Sequence, residues 1–221
     1  MVDFPFDVVG FDLDGTLADT APDLTAALNH ALVALGRSTV PAESVRHMVG
    51  HGARALLAKG LSATGDFHED LVDRGFPIFL EYYEAHIADD SRAFDGVETA
   101  LDTLAARGVT LAICTNKLES LARRFVSEIG WDGRFAAIVG GDTTPSAKPN
   151  PEPLLHMIEQ AGGGRAAFVG DSISDTGAAR AANVPCVGLT FGFSDRPAEQ
   201  LGADILIDHF DHLIPALKRL A

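Results

Sequence analysis

The sequence predicts a doubly wound α/β fold: a parallel sheet with helices on both faces, in the Rossmann-like manner, carrying an inserted all-helical cap domain. Three observations lead there. Short apolar runs without polar alternation, the kind buried on both faces of a parallel sheet, recur at 8–11, 109–114, 136–139, 166–169, 185–189 and 204–207. From about residue 90 onward these runs alternate with segments of helical spacing, as βαβ units do. Between Ala18 and about residue 90, every periodic segment reads as helix. The plan is an α/β core of residues 1–17 and 90–221, with a helical domain, 18–89, inserted just after the first strand.

Taken in order, the first strand ends in Asp12-Leu13-Asp14-Gly15-Thr16. Asp12 and Asp14 lie two positions apart, so an extended backbone aims both carboxylates to one side at the carboxyl end of the strand. Thr20-Ala21-Pro22 then signals a helix start. Leu24, Leu28, Ala31, Leu32 and Leu35 follow at helical spacing, and Gly36 closes the helix. A short helix at 41–48 is interrupted by Gly50-His51-Gly52, and helix resumes over 53–61. The pattern over 66–87 is helical, with Gly75 and Pro77 expected to break or kink it near the middle. After Phe94-Asp95-Gly96 come helices at 97–107, 118–129, 152–160 and 174–182, interleaved with the strands, and a last helix ending near Leu220.

Composition narrows the function. With 47% hydrophobic and 22% charged residues, the 221-residue chain can bury a substantial core. Its net charge of -14 argues against a nucleic-acid partner, which would need a basic face. The same surplus repels anionic substrates, so a phosphate site requires a local cation. The two cysteines, Cys114 and Cys186, lie in or beside apolar runs and read as buried thiols rather than a disulfide or metal site. No apolar run approaches eighteen residues, and the amino terminus lacks a secretory pattern. The expectation is a cytoplasmic protein with no membrane partner, monomeric or a homodimer.

The chemistry-bearing residues fall at the carboxyl ends of the core strands. The first strand gives Asp12 and Asp14, the second Thr115 and Asn116. After the third come Gly140-Gly141-Asp142 and then Lys148-Pro149. The fourth gives Gly170-Asp171-Ser172 and Asp175. These residue types meet the needs of phosphoryl transfer through an aspartyl phosphate. A carboxylate that attacks a dianionic phosphate needs a divalent cation, and Asp12 with Asp171 offers the hard oxygens Mg²⁺ prefers. Lys148 can neutralise the nucleophile and the transferring group, and the Thr115 hydroxyl can hold phosphoryl oxygens. Asp14 can give a proton to the leaving alcohol and later take one from water. In the insert, the Gly50-His51-Gly52 turn offers backbone amides, and His51 and Arg54 are the candidate substrate contacts.

These motifs give the chain a close resemblance to the haloacid-dehalogenase superfamily. Within it the chain resembles the phosphoglycolate phosphatase group, whose helical cap follows the first motif. The match runs over nearly the whole chain, through 12–16, 115–117, 140–142, 148–151 and 170–175, with Met48-Val49-Gly50-His51-Gly52 and Phe191-Gly192-Phe193 resembling that group's loops. The resemblance implies that Asp12 is the nucleophile and a Mg²⁺ ligand, and that Asp14 is the acid and base with its backbone carbonyl on the metal. It implies that Thr115 and Lys148, with Asn116 beside them, bind phosphate. Asp171 would ligate Mg²⁺, and Asp175 would assist at the metal. The expected reaction is hydrolysis of a small phosphorylated metabolite such as 2-phosphoglycolate. Alternatives are another small-molecule phosphatase of this superfamily, a sugar phosphomutase, and, outside enzymes, a receiver-like phospho-aspartate module. The last would have no use for Asp14 or for a closing cap.

Overall fold

The computed structural model describes residues 4–194 and 196–220. In chain order, strand β1 (Val8–Phe11) is followed by the two-residue strand β2 (Ala18–Asp19). Helices α1 (Ala21–Ala34), α2 (Ala42–Arg46), α3 (Ala53–Ala63) and α4 (Glu69–Ala85) come next, then strand β3 (Arg92–Ala93). The remainder is α5 (Val97–Ala105), β4 (Thr110–Cys114), α6 (Glu119–Glu128), β5 (Ala137–Val139), α7 (Glu152–Gln160), β6 (Ala166–Gly170), α8 (Ile173–Ala181), β7 (Cys186–Leu189), β8 (Ile205–Ile207) and α9 (Leu213–Arg219).

Six of the strands form one sheet in the order β5-β4-β1-β6-β7-β8, and every pairing in it is parallel. β1 is central, with Phe11 level with Ile113 of β4 and Val169 of β6. Its alternating side chains feed two separate apolar layers. Val9 and Phe11 join Leu111, Ile113, Leu104, Phe125 and Leu217 on the face covered by α5, α6 and α9. Val8 joins Ala112, Cys114, Leu154, Met157 and Ala178 on the face covered by α7 and α8. The doubly wound core read from the sequence is therefore present, with boundaries shifted by one or two residues.

The helical segment between β2 and β3 packs around Leu28, Leu32, Leu57, Leu61 and Phe79, which are continuous with the apolar layer of Val9 and Phe11. Here one expectation is corrected: α4 runs unbroken for 17 residues through Gly75 and Pro77. Pro77 removes one backbone donor, but α4 buries Val72, Gly75, Phe79 and Tyr83 along one face, and that packing holds the helix. Gly75 serves close approach rather than a break, since a β-carbon there would lie 2.8 Å from Leu35 Cδ1 and 3.1 Å from Leu57 Cδ2.

A second correction concerns the junction, where the sequence reading found no strand. β2 and β3 pair antiparallel, Ala18 with Ala93 and Asp19 with Arg92, so the chain leaves and re-enters the core side by side. Two-residue strands carry no periodicity to read. Asp23, in the first turn of α1, fastens the returning chain. Its buried carboxylate accepts hydrogen bonds from the Asp90 amide, and from the Ser91 amide at 2.9 Å and hydroxyl at 2.6 Å. Asp23→Ala strands the buried Ser91 donors and is expected to cost about 2–4 kcal/mol, given the strength of hydrogen bonds to a charged acceptor. Urea unfolding checks this; a loss below about 1 kcal/mol at unchanged denaturant slope would mean that Asp23 is not a fastening point.

Candidate active site

The strand order reverses at β1, with β4 and β5 to one side and β6, β7 and β8 to the other. In open α/β sheets the crevice at such a reversal, beyond the carboxyl ends of the strands, is where ligands bind. Asp12 follows directly on β1, Thr115 on β4 and Asp171 on β6, and all three are buried. Lys148 arrives on the loop between β5 and α7, and Asp175 from the first turn of α8.

Lys148 is the hub of this edge. Its Nζ donates to the Cys114 carbonyl and to Asp175 Oδ1, each at 2.6 Å, and lies 3.0 Å from Asp12 Oδ1. Burial alone would lower its pKa, but the Asp12 and Asp175 carboxylates outweigh this and hold the ammonium firmly charged. Asp175 also closes a capping box at the start of α8, accepting from the Ser172 amide and hydroxyl. Asp171 accepts from the Thr16 hydroxyl at 2.8 Å and from the Phe193 amide at 2.6 Å. Gly192 makes that approach possible, because a β-carbon there would sit 2.2 Å from Asp171 Cβ.

Asp12, Asp171 and Asp175 bring one oxygen each within 4.8 Å of the others. Burial pushes the Asp12 carboxyl up to about 6 against the pull of Lys148, with Asp175 and Asp14 adding to the rise. Asp171 is likewise raised well above the usual carboxylate range, by burial first and then by the charges of Asp175 and Asp12. Asp12 Oδ1 is buried with no hydrogen bond despite its proximity to Lys148. An orphaned oxygen inside an all-carboxylate set fits a hard divalent cation such as Mg²⁺, which takes oxygen donors and relieves the repulsion.

Asp14 looks the other way. Its Oδ1 accepts from Thr20 Oγ1 at 2.7 Å and from Lys117 Nζ at 2.9 Å, so Oδ2 meets no protein donor among the described residues. Lys117 Nζ also donates to the hydroxyl of Tyr83, on α4, at 2.5 Å. Sequence reasoning quoted Lys117 only as part of a motif and missed Tyr83. The available signal was spacing: Tyr83 shares the buried face of Val72 and Phe79, and a buried tyrosine hydroxyl requires a partner.

A cleft separates this edge from the helical segment. Asp12, Asp14, Thr115, Asn116 and Lys117 line it from the core, with Val49, Gly50, Gly52, Ala53, Leu56 and Tyr83 opposite. Asn116 lines the cleft, but both functions of its amide are taken. Its Nδ2 donates to the carbonyls of Gly50 and Lys148, and its Oδ1 accepts from the Lys148 amide. It thus ties the glycine turn to the Lys148 loop, and Gly52, at φ +85°, keeps free of the Asn116 carbonyl where a β-carbon would come to 3.2 Å. The structure places Arg54 outside the cleft lining, stacked on Phe76 and paired with Asp73 on the exposed side of the helical segment. His51 lies beside the cleft, with Nδ1 3.3 Å from the Ser174 hydroxyl at the start of α8.

Comparison with known proteins agrees with this architecture. The family model for haloacid dehalogenase-like hydrolases matches residues 9–189. The phosphoglycolate phosphatase of Agrobacterium fabrum is 43% identical over 210 residues, covering 94% of this chain and 90% of that relative. The Caulobacter vibrioides protein of the same name is 42% identical over 209 residues, covering 91% and 86%. The crystal structure of a predicted phosphoglycolate phosphatase from Haemophilus somnus superposes with a TM-score of 0.89 at 30% identity, covering 96% of this chain and 97% of that one. With its central strand ending in Asp12-Leu13-Asp14-Gly15-Thr16 beneath a helical cap, the chain belongs to the haloacid dehalogenase-like hydrolases.

Proposed function

We propose that this protein is a phosphatase that hydrolyses a short carboxylate-bearing phosphomonoester, with 2-phosphoglycolate as the leading candidate, through phosphorylation of Asp12. The observation that carries the reading is the edge itself: Asp12 and Asp171 beside a fully charged buried Lys148, with Asp14 across the cleft floor. The names of the relatives support the choice of substrate.

In the first half-reaction an Asp12 carboxylate oxygen forms a bond to phosphorus as the ester P–O bond breaks. The departing alkoxide takes a proton from Asp14, whose Oδ2 is the oxygen without a protein donor. In the second half, Asp14 takes a proton from water, the water oxygen bonds to phosphorus, and the bond to Asp12 breaks. Phosphate leaves and the Asp12 carboxylate is restored. Lys148 stays fixed by the Cys114 carbonyl and Asp175, so it offsets charge at Asp12 without having to reorganise. Thr115, buried at the end of β4, supplies a hydroxyl to the phosphoryl group. Asp12, Asp171 and Asp175 would hold a divalent cation, which would supply the charge screening that lets a carboxylate approach a phosphate dianion. The cap wall of Val49, Ala53 and Leu56 excludes bulk water over a substrate of a few heavy atoms.

Asp12→Asn, which keeps the shape but makes a poor nucleophile, is expected to cut kcat by at least about a thousandfold in a folded protein; retention of more than a tenth of the activity would falsify the covalent route. Chelation should abolish turnover and added Mg²⁺ restore it, and Asp171→Ala should raise the Mg²⁺ needed for half-maximal rate by at least about tenfold. Full activity after exhaustive dialysis against a chelator removes the cation from the scheme. Asp14→Asn should slow phosphorylation by ethyl phosphate by about 10²–10⁴-fold. p-Nitrophenyl phosphate, whose leaving group needs no proton, should lose far less. Equal losses in single-turnover experiments rule out the acid role.

A further inference from the structure

The cleft contains one cation, and it is not the one the glycine turn brings to mind. Among the described residues lining the cleft, Lys117 alone carries a positive charge. Lys148 is sealed behind Asp12 with its side chain only 1% exposed and its ammonium engaged by the Cys114 carbonyl, Asp175 and Asp12. Arg54 is turned away toward Asp73 and Phe76. Apart from the carboxylates Asp12 and Asp14, the rest of the wall is apolar or neutral, with Leu24, Val49, Ala53, Leu56, Leu118 and Leu121 prominent.

From this arrangement we infer that Lys117 is the specificity-determining residue, the ammonium that receives the carboxylate of a substrate whose phosphate sits at Asp12. The inference rests on the phosphatase reading above and deepens it by naming the group that recognises the second anion. An ammonium has three donors, and Lys117 uses two, toward Asp14 Oδ1 and the Tyr83 hydroxyl, leaving one for a ligand oxygen. The residue is buried, so a carboxylate reaching it exchanges water for a charge-assisted hydrogen bond in surroundings with little solvent screening. Position serves the same end. Lys117 follows Thr115 by two residues and touches Asp14, so its ammonium lies on the side of the cleft where the leaving group departs. A carboxylate one carbon from the ester oxygen is therefore carried toward it, while in a protein of charge -14 no other described side chain lining the cleft carries a positive charge. Tyr83 and the Phe125 ring hold the lysine stem and head in place, with Nζ 4.5 Å from the Tyr83 ring centroid and 5.9 Å from that of Phe125.

The test uses two non-hydrolysable ligands of matched shape, 3-phosphonopropionate, which keeps the carboxylate, and propylphosphonate, which replaces it with a methyl group. Both are titrated calorimetrically into the Mg²⁺-loaded wild-type protein and into Lys117→Met and Lys117→Gln. The wild type should bind the carboxylate ligand about ten- to a hundredfold more tightly than the neutral one, the worth of one charge-assisted hydrogen bond. Either folded variant should bring that ratio to within about threefold of unity. A wild-type ratio near unity, or a ratio preserved in either variant, overturns the assignment. A purely structural role for Lys117 through Asp14 would weaken both ligands alike and leave the ratio intact. Hydrolysis of phosphoglycolate by the wild type is assayed separately. If it fails while the binding ratio depends on Lys117, the substrate reading falls and the carboxylate site stands.

Discussion

Three carboxylates buried within 4.8 Å of one another are an expensive object for a protein to hold, and the architecture of the core follows from how that charge is contained. Lys148 contains part of it, wedged between Asp12 and Asp175 and tied to the Cys114 carbonyl at the end of β4. Because its three partners come from three different elements, the ammonium also fixes the spacing of β1, β4 and α8 at the reactive edge. The remaining charge is spread over hydrogen bonds from Thr16, Ser172 and Phe193, each supplied by a segment that must fold tightly against the sheet. Asp12 Oδ1, ion-paired with Lys148, accepts no hydrogen bond. Among the described residues of this carboxylate trio, the proposed nucleophile is the one with a buried oxygen that accepts no hydrogen bond.

Much of this was legible in the sequence because the chemistry follows the strands. An apolar run that ends in Asp, Thr or Gly-Asp announces both a buried strand and the residue it presents at its carboxyl end, so Asp12, Thr115 and Asp171 were readable as a set. Residues whose placement depends on helix phase were harder. Arg54 stands two residues after Gly52 in sequence, but it lies in the first turn of α3, in which Ala53 and Leu56 face the cleft. One residue of α-helix is a turn of about 100°, which carries Arg54 to the outer side. Tyr83 lies more than thirty residues from Lys117 and meets it from the part of α4 that continues past Pro77. A sequence reading that breaks the helix there loses the partner as well. The Asp23 fastening was equally hidden, since an aspartate in the first turn of a helix is ordinary and nothing local reveals an acceptor for a segment 67 residues away.

The cap and core also share one polar connection whose parts look unrelated in sequence. Asn116 spends its whole amide on Gly50 and on the Lys148 main chain, so the glycine turn, the end of β4 and the lysine loop are braced by a single side chain. The glycine turn thereby becomes a contact surface for the core instead of a freely moving loop.

The ribbon of β2 and β3 has a further consequence for how such a molecule can change over time. Seen from the sheet, residues 20 to 91 are a closed detour: the chain departs and returns at adjacent positions, clamped by Ala18, Ala93 and Asp23. The order and register of the six strands are fixed by contacts among β1, β4, β5, β6, β7 and β8, none of which lies inside the detour. Substitutions within it can therefore reshape the wall above the cleft while the hydrolytic edge keeps its geometry. The ribbon makes the upper wall of the cleft separable, in inheritance, from the sheet whose edge carries Asp12, Asp14 and Lys117.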